Sequence, residues 1–354
     1  MTGAPHPVTV DRYDLSTRYS ISRLIHGGWQ FSAGHRLSQA ALDDGVDVLE
    51  ASAELGVTTF DCADIYTGVE ELYGRFLRRW ASGSNDAPIQ IHTKFVPDWS
   101  DLPRVDRTYV HGIIDRSLKR LGVERLDLVQ FYWWRDEIPG FEDAARWLDE
   151  LREEGKIRHV AVTNLDVSRL RYLEAAGVAP VANQVQYSLL DRRASGPLTR
   201  QCGSSDLRIL GFGALAGGFL TDRWLGEPDP AEHANRSLVK YRLIIDEFGG
   251  WQAYQALLET MADIGSRHGV EVSAVAIRWV LDQAGVAAVI CGGTRLGQMK
   301  RNAAAFSFEL TATDVAALQA HLDQAPGPSG DIFELERDRD GPHGRIMKYD
   351  LNRE

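Results

Sequence analysis

The sequence predicts an α/β protein in which eight parallel strands, each followed by a helix, close into a (β/α)8 or TIM barrel. Short apolar runs alternate with longer amphipathic patterns along the 354 residues. No G-x-G-x-x-G follows the first apolar run, which disfavours a doubly wound dinucleotide-binding sheet. Polar and glycine residues end nearly every run, where a barrel carries its chemistry, and they are Asp61, Lys94, Asn164, Gln184, Gly213 and Gly293.

Eight apolar segments are predicted to form the barrel strands. Runs such as VAV at residues 160–162 lack polar alternation, as expected for a parallel sheet that helices cover. The intervening helices are predicted from one-sided spacing, as in Leu42, Val46 and Leu49 at i, i+4 and i+7. In chain order the predicted strands are Leu24–Gly27, Thr58–Asp61, Ile89–Lys94, Leu126–Tyr132, Ile157–Thr163, Val181–Gln186, Arg208–Gly213 and Ala287–Gly292.

Residues 1–354 are predicted to form a single domain. The segment Asp222–Asn235 is rich in glycine, proline and charge and is predicted to be a long surface loop. The C-terminal tail, residues 325–354, has a similar composition. Two predictions stay open for this tail: it is disordered, or it lies across the mouth of the barrel, where His343 would reach the site.

Composition and charge exclude several classes of protein. The formal net charge of −11 is a poor match for nucleic acid or an anionic membrane surface. Cys62, Cys202 and Cys291 form no C-x-x-C pair, so neither a disulfide framework nor a metal site is expected. A signal peptide and a membrane span are not predicted, because no basic segment precedes an apolar run and no apolar stretch is long enough. These observations favour the cytoplasm, and they leave the oligomeric state open.

An acid, a phenol and an ammonium are predicted to meet on the barrel rim. One strand ends in Asp61, Tyr66 follows in the next loop, and the next strand ends in Lys94. A free phenol with a pKa of about 10 is a slow proton donor at neutral pH. A neighbouring ammonium stabilises the phenolate and is expected to lower that pKa, while the carboxylate holds the ammonium charged. Such a trio suits general-acid protonation of a carbonyl oxygen.

Structural roles remain open for each of these residues taken alone. An Asp at the end of a strand often caps the next turn, and a Tyr in a loop is often a packing residue. Trp residues near strand ends would line an apolar pocket or pack in the barrel wall, and these are Trp29, Trp99, Trp133, Trp134 and Trp224.

Six segments resemble motifs of the aldo-keto reductase superfamily. FDCADIYTGVEELYGRFL is similar to F-D-x-A-x-x-Y-x-x-x-E-x-x-x-G-x-x-L, and SLKRLGVERLDLVQFYW to S-L-x-R-L-x-x-x-x-x-D-L-x-Q-x-H-W. IRHVAVTNL, ANQVQYSLLDR and ILGFGALAGGFLTDRW resemble three further motifs. CGGTRLGQMKRN resembles P-G-x-R-x-x-x-Q-x-x-x-N. The matches run in order from about Leu24 to Asn302, and together they resemble bacterial-type NADP-dependent oxidoreductases.

The resemblance implies a carbonyl reductase that uses NADP(H) and acts on a small-molecule aldehyde or ketone. Tyr66 would be the general acid, tuned by Lys94 and Asp61. Arg295 would bind the 2′-phosphate, because a guanidinium binds phosphate with two parallel hydrogen bonds, so NADP(H) is expected over NAD(H). The cofactor-binding residues would be Gly28, Trp29, Gln30, Asp61, Thr163, Asn164, Gln184, Phe212, Gly213, Ala214, Leu215, Gly217, Leu220, Gly293, Thr294, Arg295, Gln298 and Asn302.

Tyr132 departs from the family pattern. It stands where the family usually has a His that orients the substrate carbonyl, and a phenol can donate the same hydrogen bond from a bulkier side chain. One interpretation is that Tyr132 is a drifted substitution in a slow reductase, and the other is that Tyr132 serves an unusual substrate. The alternative function is a catalytically weak or inactive NADP(H)-binding sensor. A hydrolase on the same barrel is disfavoured, because His residues do not cluster at strand ends.

Overall fold

A closed parallel barrel forms the centre of the molecule. The computed structural model describes residues 8–32, 39–83, 87–231 and 235–352. An antiparallel hairpin, β1 (Arg12–Ser16) and β2 (Tyr19–Ser22), precedes the barrel. The barrel strands are β3 (Leu24–Gly27), β4 (Thr59–Asp61), β5 (Gln90–Phe95), β6 (Leu126–Phe131), β7 (Ile157–Thr163), β8 (Ala182–Gln186), β9 (Arg208–Phe212) and β10 (Val286–Gly292).

The predicted TIM barrel is confirmed. Strands β3 to β9 follow one another around the barrel, and β10 closes it between β9 and β3, with every neighbouring pair parallel. All eight strand predictions agree with the structure to within one residue at either end. Because parallel strands point the same way, the side chains at their carboxyl ends converge on one rim.

Helices surround the barrel and bury their apolar faces against it. Val69, Leu72, Tyr73 and Phe76 form such a face on one helix. Among the described helices, none combines the length and apolar character needed to span a bilayer. The helices are α1 (Gln39–Glu54), α2 (Val69–Ser82), α3 (Arg107–Leu121), α4 (Phe141–Glu153), α5 (Val167–Ala175), α6 (Pro197–Ser204), α7 (Arg236–Phe248), α8 (Gly250–His268), α9 (Val272–Leu281), α10 (Leu296–Ala303), α11 (Ala312–Gln324), α12 (Glu334–Arg337) and α13 (Pro342–Arg345).

The hairpin β1–β2 closes the amino-terminal end of the barrel, and sequence reasoning missed it. Its Tyr19 is almost fully buried among barrel-interior residues such as Ile25, Leu128 and Leu210. The Tyr19 hydroxyl is hydrogen-bonded to His92 Nε2 at 3.0 Å. This end of the barrel is therefore filled by side chains.

The C-terminal tail crosses the opposite end of the barrel. Its two short helices, α12 and α13, follow α11, and the chain then returns towards the loop after β5. Arg337 donates a hydrogen bond to the backbone carbonyl of Asn164, at the carboxyl end of β7. The backbone amides of Leu351 and Asn352 both donate to Asp98 Oδ1 at 2.9 Å. The tail is thus attached to two different sides of the rim.

Candidate active site

A cavity of about 770 Å³ opens at the carboxyl end of the barrel. Its wall includes residues from the strand ends, from α7 and α10, and from the tail. The predicted site residues that line it are Trp29, Gln30, Asp61, Tyr66, Lys94, Tyr132, Thr163, Asn164, Gln184, Phe212, Gly213, Ala214, Leu215, Gly217, Gly293, Thr294, Gln298 and Asn302.

Three predicted cofactor-binding residues lie outside this wall. Gly28 packs against α2, where an added Cβ would come within 2.6 Å of the Tyr73 hydroxyl. Leu220 is fully buried and does not line the cavity. Arg295 is exposed at the start of α10. When Gln298 is aligned with the Gln of the family motif, the motif's arginine position falls at Thr294, one residue before Arg295. The geometry therefore gives no support to Arg295 as a cofactor ligand.

A buried charge pair lies at the floor of the cavity. Lys94 Nζ is 2.7 Å from Asp61 Oδ2 and donates a second hydrogen bond to the Cys62 carbonyl at 2.8 Å. Asp61 Oδ1 accepts from Gln130 Nε2 at 2.8 Å and from Gln184 Nε2 at 2.7 Å. Burial alone would lower the pKa of Lys94, but the adjoining carboxylate outweighs this and raises it, so the ammonium stays charged. Gln130 was not predicted, although it belongs to the motif that contains Tyr132.

Tyr66 lies beside this pair. Lys94 Nζ is 5.2 Å from the centre of the Tyr66 ring, and the centre of the Trp29 ring lies 4.9 Å from the same point. Burial raises the pKa of Tyr66, and the Lys94 ammonium opposes the rise without cancelling it. The predicted lowering by Lys94 is therefore present but is outweighed by burial. At neutral pH the phenol keeps its proton and is available as a donor.

Tyr132 is buried in the cavity wall. Its ring packs edge-on against Trp134 at 4.9 Å and against Phe333 of the tail at 6.0 Å. Its hydroxyl oxygen is buried and has no hydrogen-bond partner among the described residues. Burial raises the pKa of Tyr132 to about 12, so this phenol is neutral. It retains a hydrogen-bond donor for a bound molecule.

Thr163, Asn164 and Gln184, three of the predicted cofactor-binding residues, come together at the ends of β7 and β8. Asn164 adopts a positive φ of 58°, and its amide donates to the Gln184 carbonyl at 2.9 Å. The Thr163 hydroxyl donates to the same carbonyl at 3.0 Å. Asn164 Oδ1 is buried and has no partner in the described structure. An unpaired buried oxygen at this position fits an amide donor from a ligand.

The loop after β9 provides an aromatic face followed by exposed backbone. Phe212 lines the cavity, and Gly213 follows with a φ of 75°. An added Cβ on Gly213 would lie 2.3 Å from the Tyr241 hydroxyl, so only glycine fits there. Gly217, also at positive φ, leaves the backbone open to the cavity. This arrangement fits an aromatic ring stacked on Phe212 and a phosphate against the loop.

The cavity wall also contains residues that sequence reasoning missed. They come from α7, α9, α10 and the tail, and they are Arg236, Ser237, Lys240, Tyr241, Glu271, Ser273, Arg301, Phe333, Ile346, Met347, Lys348 and Leu351. The motifs quoted above contain only Arg301 of this set, at a variable position. No local pattern could have identified the others, because the packing of α7 and the tail brings them to the rim.

A buried ionic network attaches the tail to the barrel. Arg193 donates to Asp191 Oδ2 at 2.7 Å and to Glu336 Oε2 at 2.9 Å. Lys240 Nζ lies 3.8 Å from Glu336 Oε1. Burial alone would raise the pKa of Glu336, but Lys240 and Arg193 lower it to about 2. The carboxylate therefore stays ionised and paired, which fixes α12 beside the cavity.

A model of the aldo/keto reductase family matches residues 23–323, which is most of the chain. The matched region begins at the first barrel strand and ends within α11. The protein belongs to the aldo/keto reductase family, a family of oxidoreductases.

Individual relatives agree with this assignment. The chain is 26% identical over 301 residues to aldo-keto reductase YhdN of Bacillus subtilis, covering 83% of this chain and 84% of that protein. It is 29% identical over 294 residues to aldo-keto reductase str7 of Strobilurus tenacellus, covering 81% and 83%. Glycerol dehydrogenase of Gluconobacter oxydans shares the fold with a TM-score of 0.75 at 24% identity, over 92% of this chain and 98% of that one. An aldo/keto reductase of Klebsiella pneumoniae, solved with NADP and acetate, has a TM-score of 0.67 at 21% identity, over 92% and 98%.

Proposed function

We propose that the protein reduces an aldehyde or ketone to an alcohol with NADP(H), and that Tyr66 is the general acid. The observation that carries this proposal is the phenol of Tyr66 in one cavity with the buried Lys94–Asp61 pair. Two relatives named aldo-keto reductases and a structural neighbour solved with NADP support it. A protonated phenol next to a fixed cation is suited to protonate a carbonyl oxygen during its reduction.

The cavity suits an extended dinucleotide. Unpaired buried oxygens lie at Asn164 and at Ser273, and the aromatic face of Phe212 and the open backbone at Gly217 line the same cavity. Together these features would accept the carboxamide, the aromatic ring, the phosphates and the adenosine of such a molecule. When bound, NADPH supplies a hydride to the carbonyl carbon.

Protein residues would donate the proton and stabilise the negative charge that remains. As the carbonyl carbon gains hydride, the oxygen takes the Tyr66 proton, and an alcohol and a phenolate result. Lys94 stabilises that phenolate, and Asp61 keeps Lys94 charged and oriented. Tyr132 would donate its unused hydrogen bond to the same carbonyl oxygen, replacing the imidazole usual in the family.

The test is NADPH consumption with a panel of aldehydes, ketones and quinones. Tyr66→Phe should lower turnover by about 100-fold or more, because general-acid catalysis contributes about 10²- to 10⁴-fold. NADPH binding should be unchanged, measured by quenching of Trp29 and Trp134, which line the cavity. Tyr172→Phe is the matched control, because Tyr172 is 61% exposed on α5. Equal turnover in Tyr66→Phe and Tyr172→Phe would overturn the role of Tyr66.

A second candidate function is a cofactor-binding sensor with little or no turnover. The phenol at Tyr132 favours it, because it replaces the His that orients the carbonyl in the family pattern. NADPH binding by the unaltered protein without turnover of any compound in the panel would support the sensor. Turnover that depends on Tyr66 would exclude it.

A further inference from the structure

Lys240 on α7 is a cation of the cavity wall that belongs to none of the motifs quoted above. Its ammonium lies among three aromatic rings. The distances from Lys240 Nζ to the ring centres are 5.1 Å for Phe212, 5.5 Å for Tyr241 and 5.5 Å for Phe333 of the tail. The side chain is only 17% exposed. Because little water surrounds this ammonium, its charge is weakly screened in this part of the cavity.

The carboxylates beside Lys240 are paired mainly with Arg193. The Arg193 guanidinium donates to Asp191 Oδ2 at 2.7 Å and to the two oxygens of Glu336 at 2.9 and 3.0 Å. Lys240 Nζ lies farther from Glu336, at 3.8 Å, and makes no hydrogen bond with a described residue. Burial lowers the pKa of Lys240, and the ionised Glu336, which favours the charged ammonium, opposes this change. The positive charge of Lys240 is therefore only partly neutralised.

Lys240 also contacts two side chains that the proposed function places around the reacting atoms. Phe212 would stack on the nicotinamide, and Phe333 packs edge-on against Tyr132, which would donate to the substrate carbonyl. The centres of stacked aromatic rings are about 5 Å apart. Since Lys240 Nζ is 5.1 Å from the centre of the Phe212 ring, a nicotinamide stacked there would lie within about 10 Å of the ammonium.

Lys94 also lines the cavity, but its charge is neutralised more completely. Its ammonium donates directly to Asp61 Oδ2 at 2.7 Å and to the Cys62 carbonyl at 2.8 Å. This hydrogen-bonded pair has no net charge, so its field falls off faster with distance than the field of a single ion. Lys240 shares its counter-ion with Arg193 and is therefore the lysine whose charge acts more strongly on a ring at Phe212.

We propose that Lys240 makes the protein bind NADPH more tightly than NADP⁺. The oxidised nicotinamide ring carries a positive charge, and gain of a hydride, which is two electrons and one proton, removes that charge. The ammonium of Lys240 repels the oxidised ring and not the reduced ring. This inference rests on the proposed function, since it assumes that the cavity holds a nicotinamide dinucleotide. A tighter hold on NADPH raises the midpoint potential of the bound cofactor above that of the free cofactor.

The charge at Lys240 should account for a measurable part of this preference. Two unit charges about 10 Å apart, at an effective dielectric constant of about 20, change each other's binding by about 10-fold. Lys240→Met should therefore lower the ratio of the NADP⁺ and NADPH dissociation constants by about 5- to 20-fold, mainly by tightening the binding of NADP⁺. For a two-electron couple this is a fall of about 20–40 mV in the midpoint potential of the bound cofactor. Lys240→Arg keeps the charge and should keep the ratio within about 2-fold.

The experiment measures dissociation constants calorimetrically for NADP⁺, NADPH and adenosine 2′,5′-bisphosphate. The bisphosphate lacks a nicotinamide, so Lys240→Met should leave its affinity unchanged. Lys348→Met is the matched control, because Lys348 also lines the cavity, and Lys119→Met is the second, because Lys119 is exposed on α3. Both controls should leave the ratio of the NADP⁺ and NADPH dissociation constants unchanged. Thermal midpoints check that each variant is folded.

The outcomes separate this inference from the proposed function. Failure of the unaltered protein to bind either form of the nicotinamide dinucleotide would refute the proposed function and this inference together. Binding of NADP⁺ at least as tight as that of NADPH in the unaltered protein would refute only the inference, and this result needs no variant.

The variants give two further ways to refute the inference. One is a ratio that Lys240→Met leaves unchanged or that Lys348→Met lowers equally. The other is an equal loss of affinity for NADP⁺, NADPH and the bisphosphate in Lys240→Met, which would mean that Lys240 binds a phosphate and does not distinguish the two redox forms.

Discussion

The two ends of the barrel are each crossed by a segment that lies outside the eight strand–helix repeats, and they differ in what that segment leaves open. At the amino-terminal end, the hairpin inserts Tyr19 into the barrel. Its hydroxyl is hydrogen-bonded to His92, and the Arg158 guanidinium lies 4.9 Å from the centre of its ring. At the carboxyl end, Glu336 of the tail forms an ion pair with the barrel, and a backbone amide of the tail donates a hydrogen bond to Asp98 on the rim. The tail attached in this way encloses a cavity.

The difference shows how one barrel combines stability with a binding site. The hairpin fills its end with a large side chain, so that end contributes packing energy. The tail spans its end and leaves buried oxygens unpaired at Tyr132, Asn164 and Ser273. Unpaired polar atoms lower stability unless a ligand binds them, which is expected at a functional site. Changes at the two ends should therefore have different consequences.

The largest effect is expected from Lys94→Met at the carboxyl end. It removes the cation beside Tyr66 and leaves Asp61 buried without its ion-pair partner. We expect turnover to fall by about 10²- to 10⁴-fold and the free energy of unfolding by about 3–5 kcal/mol. Steady-state kinetics and urea unfolding measure the two effects. The double variant Asp61→Asn/Lys94→Met should recover stability but not turnover, and recovered turnover would contradict the role given to Lys94.

A smaller effect is expected from Glu336→Gln, which breaks the tail's pairing with Arg193 and Lys240. The pKa of Glu336 is lowered to about 2 in the folded protein, from about 4.5 in the unfolded chain. The ionised carboxylate therefore stabilises the folded tail fully when the pH is above about 4.5. This stabilisation is lost progressively as the pH falls from about 4.5 to about 2. In the variant we expect a loss of about 3 kcal/mol in tail docking at neutral pH, seen as faster proteolysis within residues 325–352. Unchanged proteolysis would contradict the attachment.

Sequence patterns predicted the barrel but not the two segments that cross its ends. The strands were found because each is a short apolar run, whose signal is local. The hairpin was missed because its turn has Arg18 at a φ of 62°, where a glycine or asparagine would have indicated a tight turn. The tail has a charged, proline- and glycine-rich sequence, and it folds over the rim because Glu336 meets Arg193, which lies 143 residues away.

The candidate site divides in the same way. Asp61, Tyr66 and Lys94 were predicted because each stands at or near the end of a strand. The assignment of the phosphate to Arg295 depended on the arginine position of the family motif, which aligns with the residue before Arg295 in this chain. At the start of a helix, a shift of one residue changes the direction in which a side chain points. Glu271 and Ser273 belong to no motif quoted above, and only the packing of α9 brings them to the cavity.

Tyr132→Phe should separate function from stability at the carboxyl end. The hydroxyl is buried and unpaired, so its removal should raise the free energy of unfolding by about 1 kcal/mol. If that hydroxyl donates to the substrate carbonyl, kcat/KM should fall by about 10-fold, the value of one such hydrogen bond. Phenylalanine keeps the edge-on contacts with Trp134 and Phe333, so packing is matched. Unchanged kcat/KM would refute the proposed hydrogen bond.

Tyr19→Phe makes the same substitution at the amino-terminal end and should have the smallest effect. There the hydroxyl is paired, so its loss leaves His92 Nε2 without a partner and should lower the free energy of unfolding by about 1 kcal/mol. Turnover and NADPH binding should be unchanged, because Tyr19 belongs to the barrel-interior cluster and lies outside the cavity wall. The two Tyr→Phe variants should thus shift stability in opposite directions. A shift in the same direction would mean that the hydroxyl of Tyr132 is paired in solution and is not held ready for a ligand.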